Sequence, residues 1–401
     1  MRKALLVRLF DAFSIHRWND QLRPWPLVEM DKHAHKIATV FLLGHTSARP
    51  LHWPRLIEAG IFELLRRIEL ADIQSPVYRE IMRDPQAAAR LSYWVAERIR
   101  PLLDAELAAR AERYLHDPDG FFADAEHERA LLEAAHRYTS WWEYTRLLAP
   151  WQPHAAEARR IEEALSEELA GYAERFPALV RLITPESKLA QFSDRIGMLR
   201  FQLRWSRVPR MPATSVLGHM MLVAIIAFLL LRQAGADETR LVNGFFRGLF
   251  HDLAEAVTRD IISPVKRAAS EVERVIQEIE RRQMEAHIYP LLADEPELAA
   301  RLRWLITDEF VDKIDDEVVD FAESPPPPGA NAVDGFLVKA ADDLAAFMEA
   351  YMSRELGVQS APMLSALYQI LSKYRAPERR QKAARLGVDI AAILADFEPL
   401  A

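Results

Sequence analysis

Residues 248–267 read GLFHDLAEAVTRDIISPVKR, and residues 60–79 read GIFELLRRIELADIQSPVYR. Aligned at a constant offset of 188 residues, the two stretches are identical at nine of twenty positions. The identities include the Gly-x-Phe at the start and the Ser-Pro-Val triplet near the end. Similarity at a fixed separation indicates that one structural unit occurs twice in the chain.

The sequences around these stretches extend the similarity. An Arg-Trp pair lies upstream of each one, followed by a His that opens an apolar helix. The pairs are Arg17-Trp18 and Arg204-Trp205, and the apolar helices are predicted to begin at His35 and His219. Downstream, residues 131–138 (LLEAAHRY) resemble residues 337–344 (LVKAADDL), which places His136 opposite Asp342. The two halves are therefore predicted to be tandem copies of one helical unit.

We predict two domains, residues 1–187 and residues 188–401. Pro185 breaks the helix before this boundary, and Ser187 is suited to cap the next one. The polar residues of the repeated stretch differ between the halves. Where the second half has His251, Asp252, Glu255, Thr258 and Lys266, the first has Glu63, Leu64, Arg67, Leu70 and Tyr78. The first copy is predicted to have kept its packing and lost its chemistry.

The composition of the 401 residues indicates an all-α protein. Half of the residues are hydrophobic and 27% are charged, which excludes a disordered chain. Gly occurs only 13 times, while Ala, Leu, Arg and Glu recur throughout, so helices are favoured over turn-dense β-structure.

Charge and cysteine content exclude several classes of function. The net charge of −8 provides no general attraction for duplex nucleic acid. With no Cys in the chain, disulfides, thiolate nucleophiles and Cys-ligated metals are excluded, so a metal must be held by His and carboxylates.

The N-terminal sequence lacks the features of a signal peptide. The longest apolar run, residues 220–231, is too short to span a membrane and is predicted to be a core helix. We expect a cytoplasmic protein with no membrane partner.

One group of residues is suited to metal chemistry. His219, the adjacent His251-Asp252 and the later Asp342 lie on three separate predicted helices. Imidazole and carboxylate ligands of this kind suit one divalent ion with positions left for water and substrate. Such ligands accept Mn, Co, Fe, Zn or Mg, so the sequence does not select among these metals.

The ordered pattern H…HD…D resembles the HD superfamily of metal-dependent phosphohydrolases, and most closely its bacterial 5′-deoxynucleotidase branch, the YfbR-like proteins. In that branch an Arg-Trp pair precedes the first His by fourteen residues, as Trp205 precedes His219. Residues 251–266 fit its block HDxxExxTxDxxxPVK, and residues 339–344 fit its closing K-x-A-D-x-L. The resemblance covers about residues 195–355, and it implies tandem HD-like helical domains with an inactive first copy.

The resemblance also implies roles for individual residues. The metal ligands would be His219, His251, Asp252 and Asp342. Glu255 would orient the attacking water, and Asp260 would serve in proton transfer to the leaving oxygen. Arg204, Thr258 and Lys266 would bind the substrate through its phosphate, and Trp205 would form a wall that disfavours a ribose 2′-hydroxyl. The implied reaction is removal of phosphate from a 2′-deoxynucleoside 5′-monophosphate.

Alternatives remain open at this point. The family often has Glu directly before the first His, where this chain has Gly218, and the insert before Asp342 is long. These departures bear on substrate choice. Hydrolysis of nucleoside triphosphates or alarmones is a rival activity, because it uses the same metal ligands. A non-catalytic nucleotide-binding or interaction protein is a second alternative, which the degenerate first half favours. A second metal site at His33, His35 and His136 is disfavoured, because the first half lacks counterparts of His251 and Asp252. Small family members form homodimers, so the chain is expected to be a monomeric pseudo-dimer or a homo-oligomer.

Overall fold

A computed structural model describes residues 1–47, 49–71, 73, 75–259, 270–358 and 360–398. Most of this part of the chain is α-helical, which confirms the all-α prediction. The α-helices are α1 Lys3–Phe10, α2 Glu29–His45, α3 Trp53–Glu69, α4 Ser75–Arg83, α5 Pro85–Ile99, α6 Ala105–His116, α7 Pro118–Phe121, α8 Glu126–Trp142, α9 Ala155–Ala170, α10 Ala178–Ile183, α11 Lys188–Met198, α12 Val216–Gln233, α13 Glu238–Phe250, α14 Glu255–Thr258, α15 Ser270–His287, α16 Pro296–Ile306, α17 Gly335–Glu355, α18 Ala361–Arg375, α19 Pro377–Arg385 and α20 Ile390–Ala395. A π-helix, Glu143–Leu148, continues α8.

A small antiparallel sheet lies between α16 and α17. Its strands are β1 Lys313–Ile314, β2 Glu317–Val318 and β3 Ala332–Val333, in the order β2-β1-β3. The run of prolines at residues 325–328 falls in the irregular segment between β2 and β3. Strands of two residues are too short to produce an alternating pattern that sequence analysis could detect.

Helix α12 forms the centre of the second half. Ser215 caps it, because its Oγ accepts a hydrogen bond from the Gly218 N–H at 2.9 Å. Every residue from Val216 to Leu231 is buried, which confirms the core helix predicted for residues 220–231. Among the described residues, α12 is the helix long and apolar enough to cross a membrane, but 89% of its apolar window is buried inside the protein.

Helices α13, α17 and α2 pack around α12. Gly248 allows α13 to approach closely, since a Cβ there would lie 2.9 Å from the Cα of Ala224 on α12. This packing brings the first turn of α12, the end of α13 and the first turns of α17 to one place. Two elements of the sequence pattern, the His on α12 and the His-Asp after α13, therefore lie close together.

The two halves share one continuous cluster of buried apolar side chains. Helix α2 of the first half packs directly on α12 of the second. Polar contacts accompany this packing: the Ser215 hydroxyl donates to Asp31, and Arg200 donates to Glu143 Oε1 at 2.8 Å. Both interactions join a residue before 188 to one after it, so the halves do not pack as separate bodies.

The buried carboxyl of Asp31 makes this interface sensitive to pH. Burial raises its pKa to about 6, against the opposing effect of Arg200 and of the Ser215 hydroxyl. Because the pKa in the folded state exceeds the value of about 3.9 in the unfolded chain, the associated stability is complete below pH 4 and is lost as the pH rises through 6.

We expect the Asp31→Asn variant to gain stability relative to the unmodified protein as the pH rises, by about 2 kcal/mol between pH 4 and pH 8. An amide cannot ionise, so it avoids the cost of a buried carboxylate while still accepting from Ser215. Urea unfolding of both proteins at the two pH values measures the difference. A difference in stability that is independent of pH would show that folding does not raise the pKa of Asp31.

Candidate metal centre

His219 lies in the first turn of α12 and is fully buried. Its Nδ1 lies 3.2 Å from Oε1 of Glu349, and its Nε2 lies 3.0 Å from Oδ1 of Asp342. A carboxylate that accepts the Nδ1–H of an imidazole fixes the ring and leaves Nε2 as the ligand atom. Glu349 thus orients His219 with Nε2 directed at Asp342.

His251 follows the last residue of α13 and has a comparable arrangement. Its Nδ1 lies 2.8 Å from the carbonyl oxygen of Gly248, to which it donates. The other ring nitrogen, Nε2, is buried without a hydrogen-bond partner, 3.2 Å from Oδ2 of Asp252 and 3.8 Å from Oδ1 of Asp342. Buried polar atoms are rarely left without a partner, so this nitrogen facing two carboxylates indicates a place for a cation.

The candidate ligand atoms converge on one point. Those of His219, His251 and Asp252 all lie within 4.8 Å of one another, and Asp342 closes the group from α17. Burial opposes protonation of His251, but the Asp252 carboxylate raises its pKa to about 9. The same negative charge attracts a divalent cation, which must displace that proton on binding. The residues present therefore fit one divalent metal ion.

Arg204 and Trp205 flank the ligands. Arg204 Nη1 lies 3.2 Å from Oδ2 of Asp252, and its Nε lies 3.3 Å from Oε1 of Glu349. The Trp205 indole N–H donates to Oε2 of Glu349 at 2.7 Å. Trp205 also adopts a left-handed backbone conformation, with φ of 58°, which is unusual for a bulky residue and indicates local strain.

Glu349 is the site residue that sequence analysis missed. It is fully buried on α17 and accepts hydrogen bonds from His219, Trp205 and Thr214. It lies seven residues after Asp342, and two helical turns place such residues on the same face. That spacing is the signal that would have identified it.

A second set of contacts, which sequence analysis also did not predict, holds Asp342 on the other side of the site. Lys339 Nζ donates to Oδ2 of Asp342 at 2.5 Å and lies 4.6 Å from the centre of the Phe310 ring. The loop that carries Phe310 is fixed by the buried guanidinium of Arg247, which donates to the carbonyl oxygens of Leu305 and Val311. Positions of this kind depend on the loop's path, which no local pattern encodes.

The remaining predicted site residues are placed as follows. Glu255 is buried at the start of α14, and residues 251–254 form tight turns after α13. Asp252 and Glu255 therefore do not share one helix. The Thr258 hydroxyl donates to the carbonyl oxygen of Ala254 at 3.0 Å, within its own helix. Asp260 and Lys266 lie outside the described residues.

The structure explains why Gly stands at position 218. A Cβ at this position would lie 2.5 Å from Cε1 of Phe13 and 2.8 Å from Oδ1 of Asp31. Both residues belong to the first half, which packs on the first turn of α12. The Glu common at this position in the resembled family has no room here, because the first half occupies its space.

Comparison with known proteins agrees with this geometry. Residues 196–378 match the family model described as HD domain, which includes all four candidate ligands. No curated protein and no solved structure matches the chain. Residues 196–378 of the second half are therefore similar to the HD domain of metal-dependent phosphohydrolases.

Proposed function

Taking residues 196–378 as an HD domain, we propose that the protein removes phosphate from a nucleotide, with a 2′-deoxynucleoside 5′-monophosphate as the preferred substrate. The observation that carries the proposal is the buried Nε2 of His251, which has no hydrogen-bond partner and faces the carboxylates of Asp252 and Asp342 at a point that His219 also reaches. The adjacent Arg204 and Trp205 supply a cation and an aromatic surface beside the same point.

In the proposed reaction His219, His251, Asp252 and Asp342 hold the metal. A divalent ion in such a site supplies a Lewis acid for the phosphoryl oxygen and lowers the pKa of water. Arg204, which is partly exposed, is suited to pair with a phosphate oxygen through its remaining N–H groups. Glu255 lies close enough to act electrostatically on Arg204, and its carboxylate is assigned to orienting the attacking water. Asp260 is assigned to protonating the leaving 5′-oxygen, and Thr258 and Lys266 to binding the substrate.

The test is phosphate release from deoxy- and ribonucleoside mono- and triphosphates and a nucleotide alarmone, with Mn, Co or Mg and with chelator. We expect metal-dependent release, fastest with deoxynucleoside monophosphates. Preference for triphosphates or the alarmone would contradict the substrate while keeping the hydrolase. Stoichiometric metal binding without turnover on any nucleotide would contradict the enzymatic function and favour nucleotide sensing.

Trp205 is proposed to set the preference for deoxyribose. Its indole is tied to Glu349 and its backbone is fixed in a left-handed turn, so the ring cannot readily make room for a 2′-hydroxyl. We expect Trp205→Ala to lower the ratio of deoxyribonucleotide to ribonucleotide kcat/KM by about tenfold. Trp18→Ala, in the corresponding turn of the first half, is the matched control and should leave the ratio unchanged. An unaltered ratio in the Trp205 variant would exclude this role.

We propose that the chain is a monomeric pseudo-dimer in which the first half takes the place of a second subunit. The packing of α2 on α12 and the contacts between Ser215 and Asp31 and between Arg200 and Glu143 support it. Light scattering should give a mass near the 45.9 kDa of one chain. An obligate dimer would contradict this arrangement. Cytoplasmic localisation remains a prediction.

A further inference from the structure

The first half contains a second polar cluster, formed by Lys32 and Lys36 on α2, Glu63 on α3 and His136 on α8. Lys36 forms an ion pair with Glu63, and Lys32 Nζ lies 2.7 Å from Nδ1 of His136. His136 Nδ1 also lies 3.3 Å from Oε1 of Glu63. Two lysine side chains are thus buried among a carboxylate and an imidazole, which requires an explanation.

The turns before α2 and α12 match in detail at an offset of 187 residues. Trp18 and Trp205 both have left-handed backbones, with φ of 56° and 58°. Isolated bridges join the two ends of each turn, between His16 and Val28 and between Leu203 and Ser215. The helices that follow begin at residues 29 and 216, at the same offset. Under this correspondence Lys32, and not His35, stands opposite His219.

The carboxylates that hold the two turns also correspond. The Trp18 indole donates to Oε2 of Glu143 at 3.0 Å, as the Trp205 indole donates to Glu349. Arg17 Nε bonds Glu143 at 2.9 Å, as Arg204 bonds Glu349. The offset between these carboxylates is 206 residues, and it places His136 opposite Asp342, as the sequence alignment does.

The cluster therefore occupies the ligand positions of the second half. Lys32, Glu63, Leu64 and His136 stand opposite His219, His251, Asp252 and Asp342, respectively. The contacts correspond as well: Lys32 meets His136 as His219 meets Asp342, and Glu63 meets His136 as His251 meets Asp342. Lys36, one turn after Lys32, stands opposite Val223 of the core.

We infer that in the first half the lysine ammonium groups take the place of the metal ion. Lys36 supplies the positive charge that Glu63 requires, and Lys32 fills the space beside His136. Burial lowers the pKa of Lys32 to about 7. Lys36 therefore provides most of the positive charge that balances the Glu63 carboxylate. Within the described residues, the group with three metal-ligating atoms in reach of one another occurs only in the second half. The first half thus completes its fold with an internal cation and binds no divalent metal.

The inference rests on the proposed metal centre of the second half. Measuring the metal content distinguishes failure of the inference from failure of the proposed function. After loading with Mn and desalting, the Asp252→Ala protein should retain almost no metal, because the first half offers no site. Adding Lys32→His and Lys36→Val, the residues of the second half at these positions, should let Glu63 and His136 share in holding about one ion per chain. Metal retained by Asp252→Ala but lost on adding Glu63→Gln would overturn the inference. Metal absent from the unmodified protein would contradict the proposed function alone.

A second experiment tests the charge without any metal. Lys36→Met leaves the partly buried Glu63 without its lysine partner, so the melting temperature should fall by several degrees. Glu63→Gln in the same chain should restore most of the loss, since the amide needs no cation. Val223→Met, at the equivalent position of the second half, controls for the new side chain. A loss that Glu63→Gln does not restore would show that Lys36 acts through packing, and would overturn the role assigned to its charge.

Discussion

The Asp252→Ala variant should lose metal-dependent phosphate release by more than about 1,000-fold in kcat/KM. Asp252 Oδ2 lies 3.2 Å from His251 Nε2 and 3.2 Å from Arg204 Nη1. Its removal takes away a ligand and frees Arg204 from the position in which it faces the site. Burial opposes ionisation of Asp252, but the neighbouring His251 and Arg204 hold its pKa well below the usual range, so the lost group is a full negative charge.

The measurement is the initial rate with the best substrate of the panel, together with metal content per chain. Glu317→Gln, an exposed carboxylate on β2, is the control and should retain full activity and metal. Circular dichroism melting establishes that the Asp252 variant is folded. A folded variant that keeps its metal and turns over within tenfold of the unmodified rate would exclude Asp252 from the metal centre.

The Glu349→Gln variant should bind the metal about 10- to 100-fold more weakly and lose turnover at limiting metal. Glu349 is not itself a candidate ligand, but it orients the candidate ligand His219 through Nδ1 and holds Arg204 and Trp205. It is thus a positioning residue. Arg204 and His219 keep the pKa of Glu349 low despite its burial, so the neutral amide removes a charge that these groups face.

Titration of activity against metal concentration distinguishes positioning from a merely structural effect. We expect excess metal to restore much of the rate of Glu349→Gln, whereas general destabilisation lowers the rate at every metal concentration. Glu143→Gln is the matched control, because Glu143 is equally buried and holds the equivalent Arg17-Trp18 turn. Equal shifts of the metal requirement in both variants would contradict a specific role for Glu349.

The sequence contained enough information for the fold class and for the set of candidate ligands. Composition favoured helices, and the ordered positions of His219, His251, Asp252 and Asp342 indicated residues that converge in space. These signals are local, since helix propensity acts within a segment and ligand types are fixed by their chemistry. Arg247, whose guanidinium donates to backbone carbonyl oxygens of a distant loop, carries no such signal.

The alignment of the two halves with each other shows the same limit of sequence comparison. It placed His136 opposite Asp342, but it put His35 opposite His219, because both histidines precede apolar runs. The structure pairs Lys32 with His219 through the matching turns that begin α2 and α12. His35 instead lies against Ser193, with 3.0 Å between Nε2 and Oγ. The register of a helix is set by its capping turn and its neighbours, which a comparison of residue types does not weigh.

The sequence by itself thus determined which residue types the protein has for its chemistry, and that its backbone is helical. Only the tertiary structure decided that Glu349 contacts His219, that Gly218 makes room for the first half, and that two buried lysines lie beside Glu63 and His136. The physical reason is that burial and pairing of charges depend on groups distant in the chain. Whether a buried charge is paired, and so how much free energy its burial requires, is determined only when those groups are brought together.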